Sequence, residues 1–521
     1  MAFTRHKWLF RLTIVLILIA VSGILLNIVL KKKVAGHIAQ LPDHIQLTYD
    51  NLRVNSFFGN LKLNNPHLKL YDKDSNQLQA VVKAHNIEVR GLGYFDLVFR
   101  DKIDLEELVL DHLDGYYSQV DAASKTTNGK ASGPLNNEIS INKVTVKDSK
   151  IAIKEHQVDS LVLGVNDLNL VLTDFKINTD DENTDNSMTY EDLNCQLKHI
   201  KIKSSLYDDI LIDDLTFENN KLVLSAFELK TRYTREDLSK ILKAERDHFD
   251  VKADSIVFDA VNFGLGPSNK VYVLADSAQI LNPNIKVFRD KLVNDNHEVR
   301  PLYGKMLRDL GIDLGIDQLK ISNGMLSYAE KVKAKNKGGQ LDFHKLNVNV
   351  KNLGNIYEKD TTRINITSHF MGRSHLDVNW RFVVQNPSDN FSFSGELDNF
   401  KVGEISQFTQ PNLNVSFKGE LKKTYFNING NPYYSDIDLQ VNFEDFQVIV
   451  LKKNGKEKNK FLSSLVNMFV STDSDNSANQ FYHGNINKIE RDRTKSVFNF
   501  VWKNLESGLV SAMLGSGKKK D

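Results

Sequence analysis

From residue 45 onward, apolar and polar residues alternate with a period of two through most of the chain, the mark of strands with one buried face. The pattern is clearest in the second half. Val378, Trp380, Phe382 and Val384 alternate with Asn379, Arg381 and Gln385; Ile437, Leu439, Val441 and Phe443 alternate with Asp436, Asp438, Gln440 and Asn442. Leu413, Val415 and Phe417 repeat it, as do Leu346, Val348 and Val350. Turn-forming links at Gly372-Arg373-Ser374, Asn386-Pro387-Ser388-Asp389 and Gly430-Asn431-Pro432 separate these runs. Residues 339–451 therefore read as an antiparallel meander with one polar and one apolar face.

Helical periodicity is confined to short stretches. Thr234 to Phe249 carries Leu238, Ile241, Leu242 and Ala244 at helical spacing, and Arg300 to Leu310 carries Leu302, Met306, Leu307 and Leu310. Ser496 to Leu514 places Val497, Phe498, Val501, Trp502, Leu505, Leu509 and Met513 on one stripe. Its polar face holds Asn499, Lys503, Asn504 and Glu506, which suits a cap over the sheet more than a membrane-surface helix; Lys518-Lys519-Lys520 follow. Loops rich in small or acidic residues interrupt the alternation at 121–134 and 179–189.

A frame also repeats. Ile141-x-x-Val144-x-Val146-x-x-Ser149-x-Ile151-x-Ile153 matches Ile316-x-x-Leu319-x-Ile321-x-x-Gly324-x-Leu326-x-Tyr328, and Ile212, Leu215, Phe217, Asn220, Leu222 and Leu224 fall into the same frame. Looser copies surround Leu105–Tyr117 and Ala253–Phe263. Each copy reads as two short strands around a turn carrying Gly, Ser or Asn, the chemistry of a hairpin. The irregular distance between copies speaks against a strict solenoid or propeller.

Ahead of the β-body lies one apolar run, Leu12 to Leu30, flanked by Arg5, Lys7 and Arg11 on one side and Lys31, Lys32 and Lys33 on the other. A helix of that length spans roughly 28 Å, close to the hydrocarbon thickness of a bilayer. It exceeds a signal-peptide core and no small-x-small cleavage site follows, so it reads as an uncleaved anchor. Three basic residues on each side leave its orientation open by charge.

Composition removes several classes of function. A formal net charge of +1 argues against nucleic-acid binding, which needs a basic excess. The single cysteine, Cys195, excludes an intrachain disulfide and thiol-rich metal sites. No phosphate-cradling glycine loop, H-E-x-x-H pair or G-x-S-x-G elbow occurs. His369, His375 and Asp377 are the nearest approach to a metal set, but they flank a turn where polar residues meet water. The carboxylate pairs Asp213/Asp214 and Glu106/Glu107 are adjacent within alternating strands and point to opposite faces. The expectation is a protein that is not an enzyme and needs no cofactor.

Four stretches carry a family resemblance. They are the N-terminal anchor with the hairpins behind it; Arg300-Pro301-Leu302-Tyr303-Gly304-Lys305-Met306-Leu307-Arg308 leading into Ile316–Glu330; Phe417-Lys-Gly-Glu-Leu through Gly430 to Tyr434-Ser435-Asp436-Ile437-Asp438-Leu439; and the closing Arg491-Asp-Arg-Thr-Lys-Ser-Val-Phe-Asn-Phe-Val-Trp502-Lys-Asn-Leu-Glu-Ser-Gly508. In these the chain resembles the AsmA-like proteins of the bacterial envelope, especially the Bacteroidota branch, which are related to TamB and to bridge-like lipid transfer proteins. The resemblance implies a single-pass inner-membrane anchor with the bulk of the chain in the periplasm. It also implies a long, curved, groove-shaped antiparallel sheet able to hold acyl chains.

The expected fold is thus mainly β, a single N-terminal transmembrane helix followed by that sheet and a few short amphipathic helices. The expected divisions are an anchor at 1–35, a β-hairpin groove region at 36–300, a meander at 301–455, and a helical cap with basic tail at 456–521. Too few helices are in view to cover the apolar face, so the sheet either folds on itself as a sandwich or keeps that face as a trough. For a trough, the candidate lining is Val348, Val378, Trp380, Phe382, Val415, Phe417, Leu439 and Val441. The expected function is phospholipid transport or outer-membrane lipid homeostasis. Its partners are membrane lipids and, beyond them, outer-membrane or envelope proteins. The alternative is an envelope assembly factor that works on outer-membrane proteins by strand addition.

Overall fold

The structure is a computed structural model that describes residues 41–93 (residue 74 apart), 102–119, 139–155, 160–177, 188–266, 270–450 and 480–513, with helical positions scattered through 27–39. The expected anchor, the two expected loops and the basic tail lie wholly or largely outside these residues. Among the described residues no helix is long and apolar enough to cross a membrane. The protein is mainly β: among the described residues 63% are strand and 13% helix. It divides into two compact units, one formed by Met1–Ser204 with Ile210–Asn219, the other by Ser205–Asp209 with Asn220–Asp521. The division falls near residues 204–220, and residue 300 lies inside the second unit.

Unit 1 contains β1 (Ile45–Thr48), β2 (Asn51–Asn55), β3 (Asn60–Asn64), β4 (His67–Tyr71), β5 (Leu78–Lys83), β6 (Asn86–Arg90), β7 (Ile103–Asp111), β8 (Asp114–Gln119), β9 (Ile139–Glu155), β10 (Leu161–Ile177), β11 (Met188–Thr189), β12 (Asp192–Lys203) and most of β13 (Asp208–Glu218). Consecutive short strands here act as one long strand broken in the middle. Thus β2 pairs with β3, β3 with β6 and β6 with β7, while the other halves pair β1 with β4, β4 with β5 and β5 with β8. Both β7 and β8 then pair with the single long β9, which continues to β10 and β12.

Unit 2 holds β14 (Lys221–Thr231), α1 (Arg235–Ile241), β15 (Asp247–Asp259), β16 (Asn262–Leu265), β17 (Val271–Leu281), β18 (Asn284–Asp290), α2 (Tyr303–Arg308), β19 (Asp313–Lys331) and β20 (Gly339–Gly354). After these come β21 (Thr361–Phe370), β22 (Ser374–Val383), β23 (Phe391–Lys401), α3 (Ser406–Leu413), β24 (Val415–Gly430), β25 (Tyr434–Val450), β26 (Tyr482–Glu490) and α4 (Val497–Met513). From β19 to β26 every neighbour pairs antiparallel, in the order of the chain. That is the expected meander.

Two expectations change. The sheet is mixed: β7 and β8 run parallel to β9, and β17 and β18 run parallel to β19. From β18 to β19 a long connection that includes α2 returns the chain to the end where it started, so the next strand repeats the direction. Outside the copy at Ile212–Leu224, where Asn219 and Asn220 make a two-residue turn with φ of 51° and 58°, the repeated frame is also not a hairpin. Its Ser, Asn and Gly residues sit inside or between collinear strand segments, where Asn65, His112, Asp148, His199, Ala226, Asn282, Asn323 and Lys345 adopt left-handed φ between 44° and 54°.

The break has a definite consequence. In β20, Phe343 and Val348 are five residues apart, which in a regular strand would place them on opposite faces. Their partners in β21, Phe370 and Ile366, are four apart on an uninterrupted strand and share a face. The bulge at Lys345 restores the parity. The spacing Φ-x-Φ-x4-Φ-x-Φ, where Φ is apolar, is thus the signature of a strand that crosses a bulge and keeps one apolar face. It recurs at 45/47/52/54, 61/63/68/70, 80/82/87/89, 144/146/151/153, 193/195/200/202, 319/321/326/328 and 341/343/348/350. Side chains stitch the breaks together: Asn323 Nδ2 donates to Asn282 Oδ1 (2.9 Å), Asn282 Nδ2 donates to Asp254 Oδ2 (2.9 Å), and the Asp148 N–H donates to Asn169 Oδ1 (3.0 Å).

Candidate functional site

Residues directly opposite each other in paired strands share a face, so the register strings side chains into rows. Across unit 1 one row runs Leu52, Leu63, Ile87, Leu110, Val146, Leu170, Cys195. Two residues further along each strand a second runs Val54, Leu61, Val89, Leu108, Val144, Leu172, Leu193. Beyond the breaks a third runs Ile45, Leu70, Ala80, Tyr117, Ile153, Leu163, Ile202. Each row crosses seven strands, about 29 Å at ~4.8 Å per strand. The opposite face is polar: between the first two rows lies Arg53, Lys62, Glu88, Val109, Thr145, Val171, Asn194. Ion pairs lace it, among them Lys62–Glu88 and Arg90–Glu107, both 2.6 Å.

Most side chains of these rows are half-buried, and Tyr117 is exposed. The described helical residues of unit 1 lie within 27–39, and Asn27 Oδ1 there accepts the Ser56 N–H (2.5 Å) just past the end of β2. The rows carry almost no polar group beyond the Cys195 thiol, whose pKa burial pushes up, so it stays a neutral, weakly polar member.

Unit 2 repeats the arrangement over eleven strands. One row runs Leu222, Phe258, Ala278, Leu319, Val350, Ile364, Trp380, Phe393, Ile428, Ile437, Ile486; its neighbour runs Leu224, Ile256, Ile280, Ile321, Val348, Ile366, Val378, Gly395, Phe426, Leu439, Gly484. Here the environment changes partway. Up to β21 most members are half-buried; from β22 onward they sink beneath α2 and α4. Phe500, Val501, Ala512 and Met513 of α4 join the core, and Gly508 brings the helix so close that a Cβ there would meet Leu439 Cβ at 3.1 Å. Asn504 on the buried side of α4 accepts from Ser435 Oγ (2.8 Å) and donates to the Phe500 carbonyl, so its amide is satisfied inside the core.

The structure brings four of the eight expected lining residues onto these two rows: Val348, Val378, Trp380 and Leu439. Phe382 and Val441 lie two residues along from Trp380 and Leu439 on the same strands, and Val415 and Phe417 lie at the far end of β24. Val378, Trp380 and Phe382 are 5–6% exposed and Val415, Leu439 and Val441 are 0% exposed; all but Val415 belong to the closed core that includes α4. Val348 and Phe417 are half-buried. The residues the sequence reading passed over are those of unit 1, whose signal was the Φ-x-Φ-x4-Φ-x-Φ spacing.

Trp380 marks the boundary. Its ring packs on Tyr303 of α2 (5.2 Å between centroids) and Phe498 of α4 (6.2 Å), and its buried indole N–H has no acceptor among the described residues. On the far side of the turn, the rings of His369 and His375 face each other across the hairpin at 6.5 Å. Among the described residues no group of three or more His, Cys, Asp or Glu gathers close enough to share a metal ion. Compared with known proteins, the chain matches no family model and no curated sequence.

Proposed function

We propose that this chain is an AsmA-like, inner-membrane-anchored periplasmic protein whose apolar rows form the wall of a groove for phospholipid acyl chains, serving lipid transport or homeostasis of the outer membrane. The observation that carries the reading is the set of continuous apolar rows in unit 1, most of whose side chains stay half-buried. Each methylene transferred from water to such a face contributes about 0.8 kcal/mol, so a few contacts per chain offset the loss of bilayer contacts. The membrane-length segment 12–30 ends only fifteen residues before Ile45, which puts the first rows next to a lipid source. The occupant is an acyl chain rather than a peptide strand, because the rows offer side chains and not free backbone groups.

Photo-crosslinking in the cells that make the protein tests this. A benzoylphenylalanine at Leu172 is expected to capture phospholipid, whereas one at Leu439 is expected to react within the chain, on α4. Absence of lipid adducts at Leu172, Leu108 and Leu63 would sink the proposal. Protein adducts at those positions would support the assembly-factor alternative instead.

A further inference from the structure

On the face of unit 2 opposite the apolar rows, the register lines up Gln318, Lys351, Arg363, Arg381, Ser392, Asn429 and Asp436. Arg381 stands between Trp380 and Phe382, and Arg363 between Thr362 and Ile364, so both point away from the core. Three cations therefore sit side by side on three adjacent strands. Like charges directly opposite in a sheet destabilise it. Elsewhere on this face cross-strand cations are neutralised, as Lys252 is by Glu228 (2.8 Å) and Lys423 by Asp398 (2.6 Å). Among the described residues Lys351, Arg363 and Arg381 have no ion-pair partner, and all three are exposed.

Arg363 and Arg381 also border an open cleft of about 590 Å³, together with Asn386, Asn431, Tyr434 and Asp436. The side-chain oxygens of Asn386 and Asn431 already accept backbone N–H groups of their own turns, from Ser388 (3.0 Å) and Tyr433 (2.9 Å). Their NH2 groups are left with no protein acceptor among the described residues. Asp436 accepts the Lys488 N–H (2.8 Å) at the other end of the cleft and repels an anion there. The cleft is thus rich in donors, cationic at one end, and flanked by the exposed ring of Tyr434.

We propose that this cleft binds a saccharide bearing an oxyanion, either a phosphoryl ester or a carboxylate. The paired guanidinium forks would take the anion, the asparagine amides the hydroxyl oxygens, and Tyr434 the sugar face. A volume of this order suits a ligand of one or two sugar rings. The proposal stands apart from the acyl-chain reading, since it uses the other face of the sheet.

Calorimetric titration of the full-length protein in detergent tests it with four probes: glucose 6-phosphate, glucuronate, glucose and inorganic phosphate. One or both of the anionic sugars is expected to bind at least tenfold tighter than glucose or phosphate alone, and more weakly as salt is raised. If phosphate binds as tightly as both anionic sugars, or no anionic sugar binds, the proposal fails. The double variant R363Q/R381Q is expected to lose at least tenfold in affinity while its melting temperature holds or rises, because a repulsive pair has been removed. Unchanged affinity in that variant overturns the assignment. A lowered melting temperature with a tenfold loss would be separated from misfolding by R363K/R381K, which keeps charge but lacks the fork and is expected to bind with intermediate affinity.

Discussion

The same row architecture meets two fates in this molecule. In β22 to β26 the apolar face is roofed by α2 and α4, and its members reach zero exposure; in β1 to β12 equally apolar rows stay half-buried. Composition does not distinguish the two: Leu172 and Leu439 are the same residue type in the same kind of row. What differs is the degree of burial, and in the proposed reading the half-buried rows of unit 1 take their covering surface from an external apolar ligand.

Truncating a leucine in each region is the largest test of that contrast. Leu439→Ala opens a cavity in a packed core and is expected to cost about 3–4 kcal/mol. Leu172→Ala removes area that is already partly open, and is expected to cost about 1 kcal/mol. Urea denaturation followed by tryptophan fluorescence and by circular dichroism would read both; equal costs would mean that unit 1 is as closed as the C-terminal core. Two glycines sharpen the point at the backbone. A Cβ on Gly484 would meet the Gly508 carbonyl oxygen at 2.0 Å, so Gly484→Ala must push α4 off the sheet and is expected to cost about 2–3 kcal/mol. A Cβ on Gly115 of β8, which pairs with Val82 of β5, would meet Val82 Cγ2 at 3.5 Å, an ordinary contact. Gly115→Ala is expected to be neutral or slightly stabilising, and hydrogen exchange in β24 to β26 should rise only in the Gly484 variant.

Much of this contrast could be read from residues alone. The stripe Ser496 to Leu514 is the helix Val497–Met513, and it does cap the sheet. Arg300 to Leu310 holds the helix Tyr303–Arg308. Of Thr234 to Phe249 only the first half is helix: α1 stops at Ile241, and Asp247 opens β15, whose partners in β18 outweigh local helical spacing. α3 carries no helical signal, since Ser406–Leu413 contains Pro411 and no apolar stripe. The candidate lining falls in the meander because the alternation is longest and cleanest there, yet bulges interrupt the covered strands β24 and β25 as well as those of unit 1, so regular alternation does not tell a packed face from a half-buried one. Asx residues in the breaks look like hairpin turns in a sequence, and only the register shows the strand continuing through them.

The roof itself is held by a charge cluster, which offers a smaller and pH-dependent test. Glu245, 1% exposed, lies 2.8 Å from Lys291 and 3.2 Å from Lys495, two residues ahead of α4; Lys495 also meets Asp295 at 2.9 Å. Burial alone would raise the Glu245 pKa, but the two ammonium groups hold it below the usual carboxylate value. A depressed carboxyl contributes stability that is present above its unfolded pKa and disappears as pH falls through the folded one. Glu245→Gln is therefore expected to cost about 1–2 kcal/mol at pH 7 and to flatten the loss of stability below about pH 4.5. The check is the urea midpoint of both proteins from pH 7 to pH 3. Parallel curves would show that the cluster does not tie α4 down.

The smallest effect concerns the breaks that both regions share. An alanine in left-handed backbone is disfavoured by roughly 1–2 kcal/mol, whereas asparagine tolerates it and glycine adopts it freely at a cost in unfolded-state entropy. Ala226, φ +51°, is exposed, so only its backbone is at stake. Ala226→Gly is expected to stabilise the protein by about 0.5–1 kcal/mol, seen as a higher thermal midpoint and slower hydrogen exchange in β14 and β15. Asn282 has the same backbone, φ +48°, yet its side chain joins Asp254 to Asn323 across the break. Asn282→Gly should therefore move the other way, losing about 0.5–1 kcal/mol with those two hydrogen bonds. Opposite signs at two equivalent positions would show that the breaks are set by the backbone and then reinforced by side chains. The same sign at both would mean that the asparagines are there only for their tolerance of positive φ.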